Sequence, residues 1–294
     1  MDLIIPVSWG ETASGALLPA NANAAYAALR EQGCAILRGV FSTSDIDTLH
    51  REYVSQFGEL NAAQMRERTK AMPTPFVEVG EGRFEITPRM KGAFAAPKLL
   101  ANDLLRRFLA PLLGKDMRLS GFTIVVSHPG AALQHVHRDH AYLYPELDAA
   151  QPAPSHAINV SIPLIDVGIE TGPTGIWPGS HKWSEARIPP DTSSTQIPFK
   201  KGDCVLLDYR LLHTGLPNRS TQARPLIYMT YVRTWFFDEV NHLGRSALDM
   251  SLETFLTLPE SVRPILLRVY TQAMRVRHLN EPAPAATSQN RPSS

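Results

Sequence analysis

With 294 residues, 44% of them hydrophobic, the chain can bury a sizeable core, and all-β barrels often reach this length as one domain. Lys and Arg number 29 against 28 Asp and Glu, a net charge of +1 with no block of like charge, which argues against nucleic acid or an anionic membrane as the main partner. No apolar run of about 18 residues and no signal-peptide pattern is visible, and Cys34 and Cys204 make no disulfide framework, so a soluble, cytoplasmic protein with two buried thiols is expected.

Residues 1–20 read as mixed and loop-like. A helix is predicted from about Ala24 to Gln32, with Asn23 as cap and Gly33 as stop, followed by the short apolar strand Cys34–Arg38. Ser42, Thr43 and Ser44 offer caps for a second helix ending near Gly58, with Ile46, Leu49, Tyr53 and Phe57 on one side. Residues 61–96 have little periodicity and read as loop, the best strand there being Arg83–Thr87. From Pro97 to Leu113, Leu100, Leu104, Leu105, Phe108, Leu109 and Leu112 recur at helical spacing, with Gly114 as stop. Strands then dominate, at about Arg118–Ser127, Leu133–Arg138, Ala157–Leu164, Gly175–Trp177, Asp203–Asp208, Leu211–Thr214 and Pro225–Trp235. Short strands separated by turn signals, without βαβ alternation, fit a sandwich or barrel. Two closing helices are predicted at about Ala247–Leu256 and Glu260–His278, and after Glu281 the composition turns to Pro, Ala, Ser and Gln, too poor in apolar surface to pack.

The chemistry concentrates in residues 130–140. Read as a strand with period two, this stretch points His135, His137 and Asp139 to one face. His137 and Asp139 form a His-x-Asp pair, two thirds of the facial triad that holds non-haem Fe(II) and leaves other coordination positions open. His213 is the best candidate for the distant third ligand, and Arg224, eleven residues on, offers a rigid fork suited to the distal carboxylate of 2-oxoglutarate. His135 could pair with His137 in a cupin-type metal site, but the glutamate that pattern wants is missing nearby, so His135 reads as a supporting or packing residue. Arg219 and Arg233 are alternatives to Arg224, and Asn218 reads as a turn former.

Gln134-x-x-His137-x-Asp139, the run Glu170 to Lys182 (ETGPTGIWPGSHK), His213 and Arg224 together resemble the phytanoyl-CoA dioxygenase (PhyH-like) family, over about Ala25 to Trp235 and in the family's order. The resemblance implies a mainly β protein with flanking helices and a double-stranded β-helix (jelly-roll, cupin-like) core, here at about 115–236 of a single domain over 1–280, with 281–294 a disordered tail. It further implies Fe(II) held by His137, Asp139 and His213, 2-oxoglutarate as co-substrate on Arg224 and Gln134, consumption of O₂, and release of succinate and CO₂. Strict alternation puts Gln134 on the face away from His137, so a bulge would be needed to bring it inward. The family often carries Ser or Thr two residues after the distal histidine to assist the arginine; here Gly215 stands there, so either another hydroxyl, Tyr228 or Thr230, assists or Arg224 acts alone. A carboxylate at Asp139, where related halogenases have a small residue, favours oxygen insertion or desaturation over halogenation.

For substrate, His140, Tyr142 and Tyr144, Trp177 and Trp235 with Phe236 and Phe237 are aromatics near the expected mouth, which either suit an apolar or aromatic small molecule or serve as lid and core packing. No basic cluster stands ready for the phosphates of an acyl-CoA, so the expected reaction is hydroxylation or another oxidation of a free small molecule, a specialised (secondary) metabolite. The alternatives are hydroxylation of an amino acid or protein side chain, or an inactive jelly-roll binding protein. Oligomeric state stays open.

Overall fold

The computed structural model describes residues 2–70, 75–143, 153–183, 194–238, 240–242 and 246–280. Tyr144 and the expected tail after Glu281 lie outside them.

The opening residues are ordered into elements. Strand β1 (Ile4–Pro6) pairs in parallel with β2 (Cys34–Arg38), and helices α1 (Trp9–Ser14) and α2 (Pro19–Gln32) connect them. The loop expectation failed there because α1 is nucleated by capping, not by hydrophobic periodicity: Ser8 and Glu11 form a reciprocal capping box. Helix α3 (Thr43–Phe57) follows as expected, capped by Ser42 and burying Ile46, Leu49, Tyr53 and Phe57. Residues 61–96 also hold more structure than predicted: α4 (Ala62–Arg68) and a hairpin of β3 (Phe76–Gly80) with β4 (Arg83–Ile86). The single helix expected at Pro97–Leu113 is split into α5 (Pro97–Leu100) and α6 (Asp103–Leu113), because Asn102 caps a new start through its side chain onto the Leu105 amide.

The remaining strands are β5 (Arg118–Ser127), β6 (Ala157–Pro163), β7 (Thr174–Ile176), β8 (Thr195–Ile197), β9 (Cys204–Asp208), β10 (His213–Gly215) and β11 (Arg224–Val232). They build an eight-stranded sheet, β1-β2-β9-β6-β11-β5-β4-β3, and a three-stranded sheet, β10-β7-β8. Helices α7 (Leu252–Thr257) and α8 (Arg263–Asn280) close the described chain, α7 starting later than predicted, where Ser251 caps it. No helix of the described residues is long and apolar enough to cross a membrane.

Period-two alternation divides the large sheet into two faces. One face, with Leu37 of β2, Phe84 of β4, Phe122 and Ile124 of β5, Ile158 and Val160 of β6 and Ile227 and Met229 of β11, packs with the helices in the main core. The other face meets the small sheet. Its apolar end joins Ile36, Val205, Leu207 and Leu226 to Ile176, Ile197 and Phe199. Its other end is polar and carries the site. The result is a jelly roll with helices on its outer face, and half of the large sheet, β1 to β4, comes from before residue 115.

Candidate metal centre

The segment 133–139 is not the strand its alternation suggested. It runs beside β10 as an irregular extended edge, with Gln134 N–H on Gly215 O at 3.0 Å, and His137 and His213 exchanging both backbone bonds at 3.0 and 2.9 Å. Its only bridge is His137 with His213, so parity is not kept along it. Gln134, His135, His137, Arg138 and Asp139 consequently all line one cavity of about 330 Å³. That irregularity brings Gln134 inward, as a bulge would have.

The three expected ligands converge. Ligand atoms of His137, Asp139 and His213 all lie within 4.8 Å of one another. His213 Nε2 stands 3.6 Å from Asp139 Oδ1. The Nδ1 atoms of His137 and His213 meet the carbonyls of His135 and Leu211 at 2.9 and 3.0 Å. A carbonyl only accepts, so each Nδ1 carries a proton, and Nε2 is the nitrogen of each ring that would ligate a metal. Desolvation, helped by the neighbouring His213, pushes the His137 imidazole down to about 3, so it is neutral near pH 7. Burial raises the Asp139 carboxyl against the pull of His213 and of a hydrogen bond from Asn159. Two imidazoles with Nε2 turned to the site and one carboxylate fit a divalent iron with positions to spare.

On the facing wall, cross-strand register sets Arg83 of β4, Ser127 of β5 and Arg224 of β11 in one row. Both arginines are buried, at 1% and 2% exposure. Arg83 Nη2 donates to the carbonyls of Ala132, Gly215 and Leu216 at 3.1–3.2 Å, while its Nε and Nη1 and the Nε of Arg224 find no partner among the described residues. Among the described residues neither guanidinium pairs with a carboxylate. Burial therefore lowers Arg224 to about 9, with Arg83's charge adding to the effect, and lowers Arg83 to about 10. Two desolvated like charges with free donors fit a carboxylate ligand.

Arg83 also explains the departure at Gly215. A Cβ there would lie 2.2 Å from Arg83 Nη1 and 2.9 Å from Gln134 Oε1. The guanidinium occupies the room that a Ser or Thr side chain would need. The expectation was a hydroxyl partner for Arg224 or none; the group beside it in the same row is Arg83, which sequence reasoning missed. Its signal was available: Phe84 and Ile86 face the core, so Arg83 and Glu85 face the cavity. Tyr228 and Thr230 line the cavity too, and Gln134 is engaged with the Gly215 amide and the Val79 carbonyl.

The other arginines fall away. Arg233 is committed to the carbonyls of Ser155 and Leu112 at 2.9 and 2.7 Å, and Arg219 is exposed. Asn218 shapes its turn by bonds to Ser127, Ser220 and Gln222, as expected. Of the expected substrate aromatics, the described ones, His140, Tyr142, Trp177, Trp235, Phe236 and Phe237, are not among the residues lining this cavity. His140 packs edge-on to Phe236, Tyr142 donates to the Ser180 and His181 carbonyls, the Trp177 amide is tied to Leu212, and Trp235 is 60% exposed. Period-two extrapolation past Asp139 could not place them, because no strand continues there. Val79, Glu85, Thr123, Val125, His135, Arg138, Asn241 and His242 wall the cavity instead.

The family model "Phytanoyl-CoA dioxygenase (PhyH)" matches residues 29–226, which contain His137, Asp139, His213, Arg83 and Arg224. The chain belongs to the phytanoyl-CoA dioxygenase family. Its relatives include "Dioxygenase aneA" of Aspergillus aculeatus, 27% identical over 65% of this chain and 65% of that protein. "Multifunctional dioxygenase ausE" of Emericella nidulans is 26% identical over 73% of this chain and 74% of the relative. Among solved structures, EvdMO1 superposes with a TM-score of 0.57 at 25% identity, over 72% of this chain and 50% of that one. The chain thus spans just under two thirds of aneA and half of EvdMO1. The jelly roll is the fold of these structural relatives.

Proposed function

We propose that the protein is a non-haem Fe(II)/2-oxoglutarate-dependent dioxygenase that hydroxylates or otherwise oxidises a free small molecule of specialised metabolism. The observation that carries this reading is the pairing of a two-imidazole, one-carboxylate donor set with two buried guanidiniums that no carboxylate of the described residues pairs. His137, Asp139 and His213 would hold the iron, and when bound it supplies the oxidising chemistry, coupled to loss of CO₂ from 2-oxoglutarate and release of succinate.

The chain's own residues bind, orient and shield. Arg224 and Arg83 receive the distal carboxylate from a dry wall, where charge-assisted bonds are strongest. The Nδ1–H bonds to His135 and Leu211 keep both rings turned to the site. Gln134 and Thr174 line the cavity beside the arginines, and Val79 and Val125 contribute its apolar surface. Substrate would enter against His135, Arg138, Asn241 and His242, all on the lining near Asp139. Beyond Arg83 and Arg224, the described lining offers one further arginine, Arg138, whose Nε is held by the Arg210 carbonyl; a polyphosphate handle is therefore not expected.

A succinate-release assay with Fe(II), ascorbate and a panel of small metabolites tests the reading. Succinate above the uncoupled background with at least one panel member, lost in Asp139→Ala, is expected. Substrate oxidation by Asp139→Ala at the wild-type rate would remove the carboxylate from the site and overturn it.

A further inference from the structure

Every polar handle of Asp139 but one is already taken. Its backbone N–H donates to the Tyr209 carbonyl at 3.1 Å, and its carbonyl accepts from Asn241 Nδ2 at 2.7 Å. Its Oδ2 accepts from Asn159 Nδ2 at 2.7 Å. The remaining atom, Oδ1, is the one turned to His213. Asn159, the third residue of β6, is 5% exposed and lies directly across from Thr230 of β11. Thr230 Oγ1 donates to Asn159 Oδ1 at 2.5 Å. A carboxylate accepts and never donates, so the Asn159 amide must present Nδ2 to Asp139, and its Oδ1 is left for the threonine hydroxyl. Sequence and fold thus build a chain, Thr230 to Asn159 to Asp139, ending on one carboxylate oxygen.

We propose that Asn159 is a positioning residue that makes Asp139 a one-oxygen ligand, with Thr230 fixing the amide. This rests on the iron reading above and adds to it a reason for the open coordination positions. A carboxylate free to turn could offer both oxygens to a metal, and the second would compete with the keto-acid end of the co-substrate. Asn159 holds that second oxygen away. The arrangement needs no charge change at the site, only an amide whose two ends are both committed.

Cobalt(II) alone, then cobalt(II) with 2-oxoglutarate, added to the metal-free full-length protein, tests this by visible ligand-field absorption and by titration. Wild type, Asn159→Leu, Thr230→Val, the double variant and His137→Ala are compared. Asn159→Leu is expected to change the cobalt spectrum before any co-substrate is added, and to weaken 2-oxoglutarate binding to the cobalt protein at least about tenfold, in the range found when supporting groups of metal ligands are removed. Thr230→Val, which keeps the shape of the side chain, should cause the same spectral change to a smaller extent, and the double variant should be no worse than Asn159→Leu. If Asn159→Leu does not fold, the Thr230→Val spectrum decides. Wild-type spectra and co-substrate affinity in the single variants, or losses that simply add in the double variant, would overturn the inference while leaving the iron site standing. Wild-type cobalt binding by His137→Ala would defeat the iron site, and this inference with it.

Discussion

Gly215 shows how one missing side chain can report a distant one. Taken alone it was a family position without its hydroxyl; in the fold it is the space that Arg83 fills. Gly215→Ser should push the guanidinium out and weaken 2-oxoglutarate binding at least about tenfold, since each charge-assisted hydrogen bond lost costs ~1.5–3 kcal/mol. Arg83→Ala should cost as much, and the pair Arg83→Ala with Gly215→Ser should recover part of it, because the serine then has room beside Arg224. Co-substrate titration of the three proteins checks this; a double variant no better than either single one would show that the two positions do not share a space. Arg224→Ala should raise the co-substrate requirement by a similar factor with metal affinity near normal, and Arg224→Lys should restore part, since charge returns without the fork. The triad and Arg224 were legible because their residue types and spacing state their chemistry. Arg83 was not, because nothing in Arg83-Phe84-Glu85-Ile86 says that its cavity-facing charge ends up across two strands from Arg224.

Among the secondary-structure elements, the sequence was clearest where burial is periodic and weakest where hydrogen bonds do the work. Strands β5, β6, β9 and β11 and helix α3 came close to their predicted bounds, since each alternates or repeats against the core. Segment 133–139 alternates equally well, yet pairs with β10 through a single bridge, and hydrogen bonds to Gly215, His213 and Tyr209, with Thr214 and Asn241 on its carbonyls, define its path. The first helix was invisible for a similar reason. Glu11, 2% exposed, accepts from the amides of Ser8 and Leu18, the Ser8 hydroxyl and the Asn21 amide at 2.7–2.9 Å. Burial alone would raise this carboxyl, but those donors outweigh it and hold it at about 2 against an ordinary 4.5. A depressed folded value means the unfolded chain binds the extra proton first, so this contribution is complete above pH 4.5 and is lost as the pH falls towards 2. Glu11→Gln should destabilise the protein by roughly 1–3 kcal/mol at neutral pH, and the gap to wild type should close in acid. Urea melts of both proteins across that range give the answer; a gap independent of pH would mean that the charge at Glu11 contributes nothing.

For the protein as a unit, strands from before residue 115 and strands from the jelly roll proper meet in one sheet, and the cavity sits where they join. Arg83 comes from the early hairpin, His137 and Asp139 from the irregular edge, His213 from the small sheet and Arg224 from the large one. Anything bound there ties both sheets together. Ligand at a hundred times its dissociation constant adds about 2.7 kcal/mol of stability, so metal with 2-oxoglutarate should raise the melting temperature, chelator should reverse the rise, and Asp139→Ala should abolish most of it without lowering the metal-free melting point by much. An equal rise in Asp139→Ala would place the ligand elsewhere. The most direct measurement is an anaerobic titration of Fe(II) and 2-oxoglutarate followed by visible absorption. One iron per chain is expected, with a charge-transfer band that requires both additions, fails in His213→Ala, and needs more 2-oxoglutarate in Arg224→Ala. A band that never forms with wild type, or that forms equally in His137→Ala and His213→Ala, would contradict the site described.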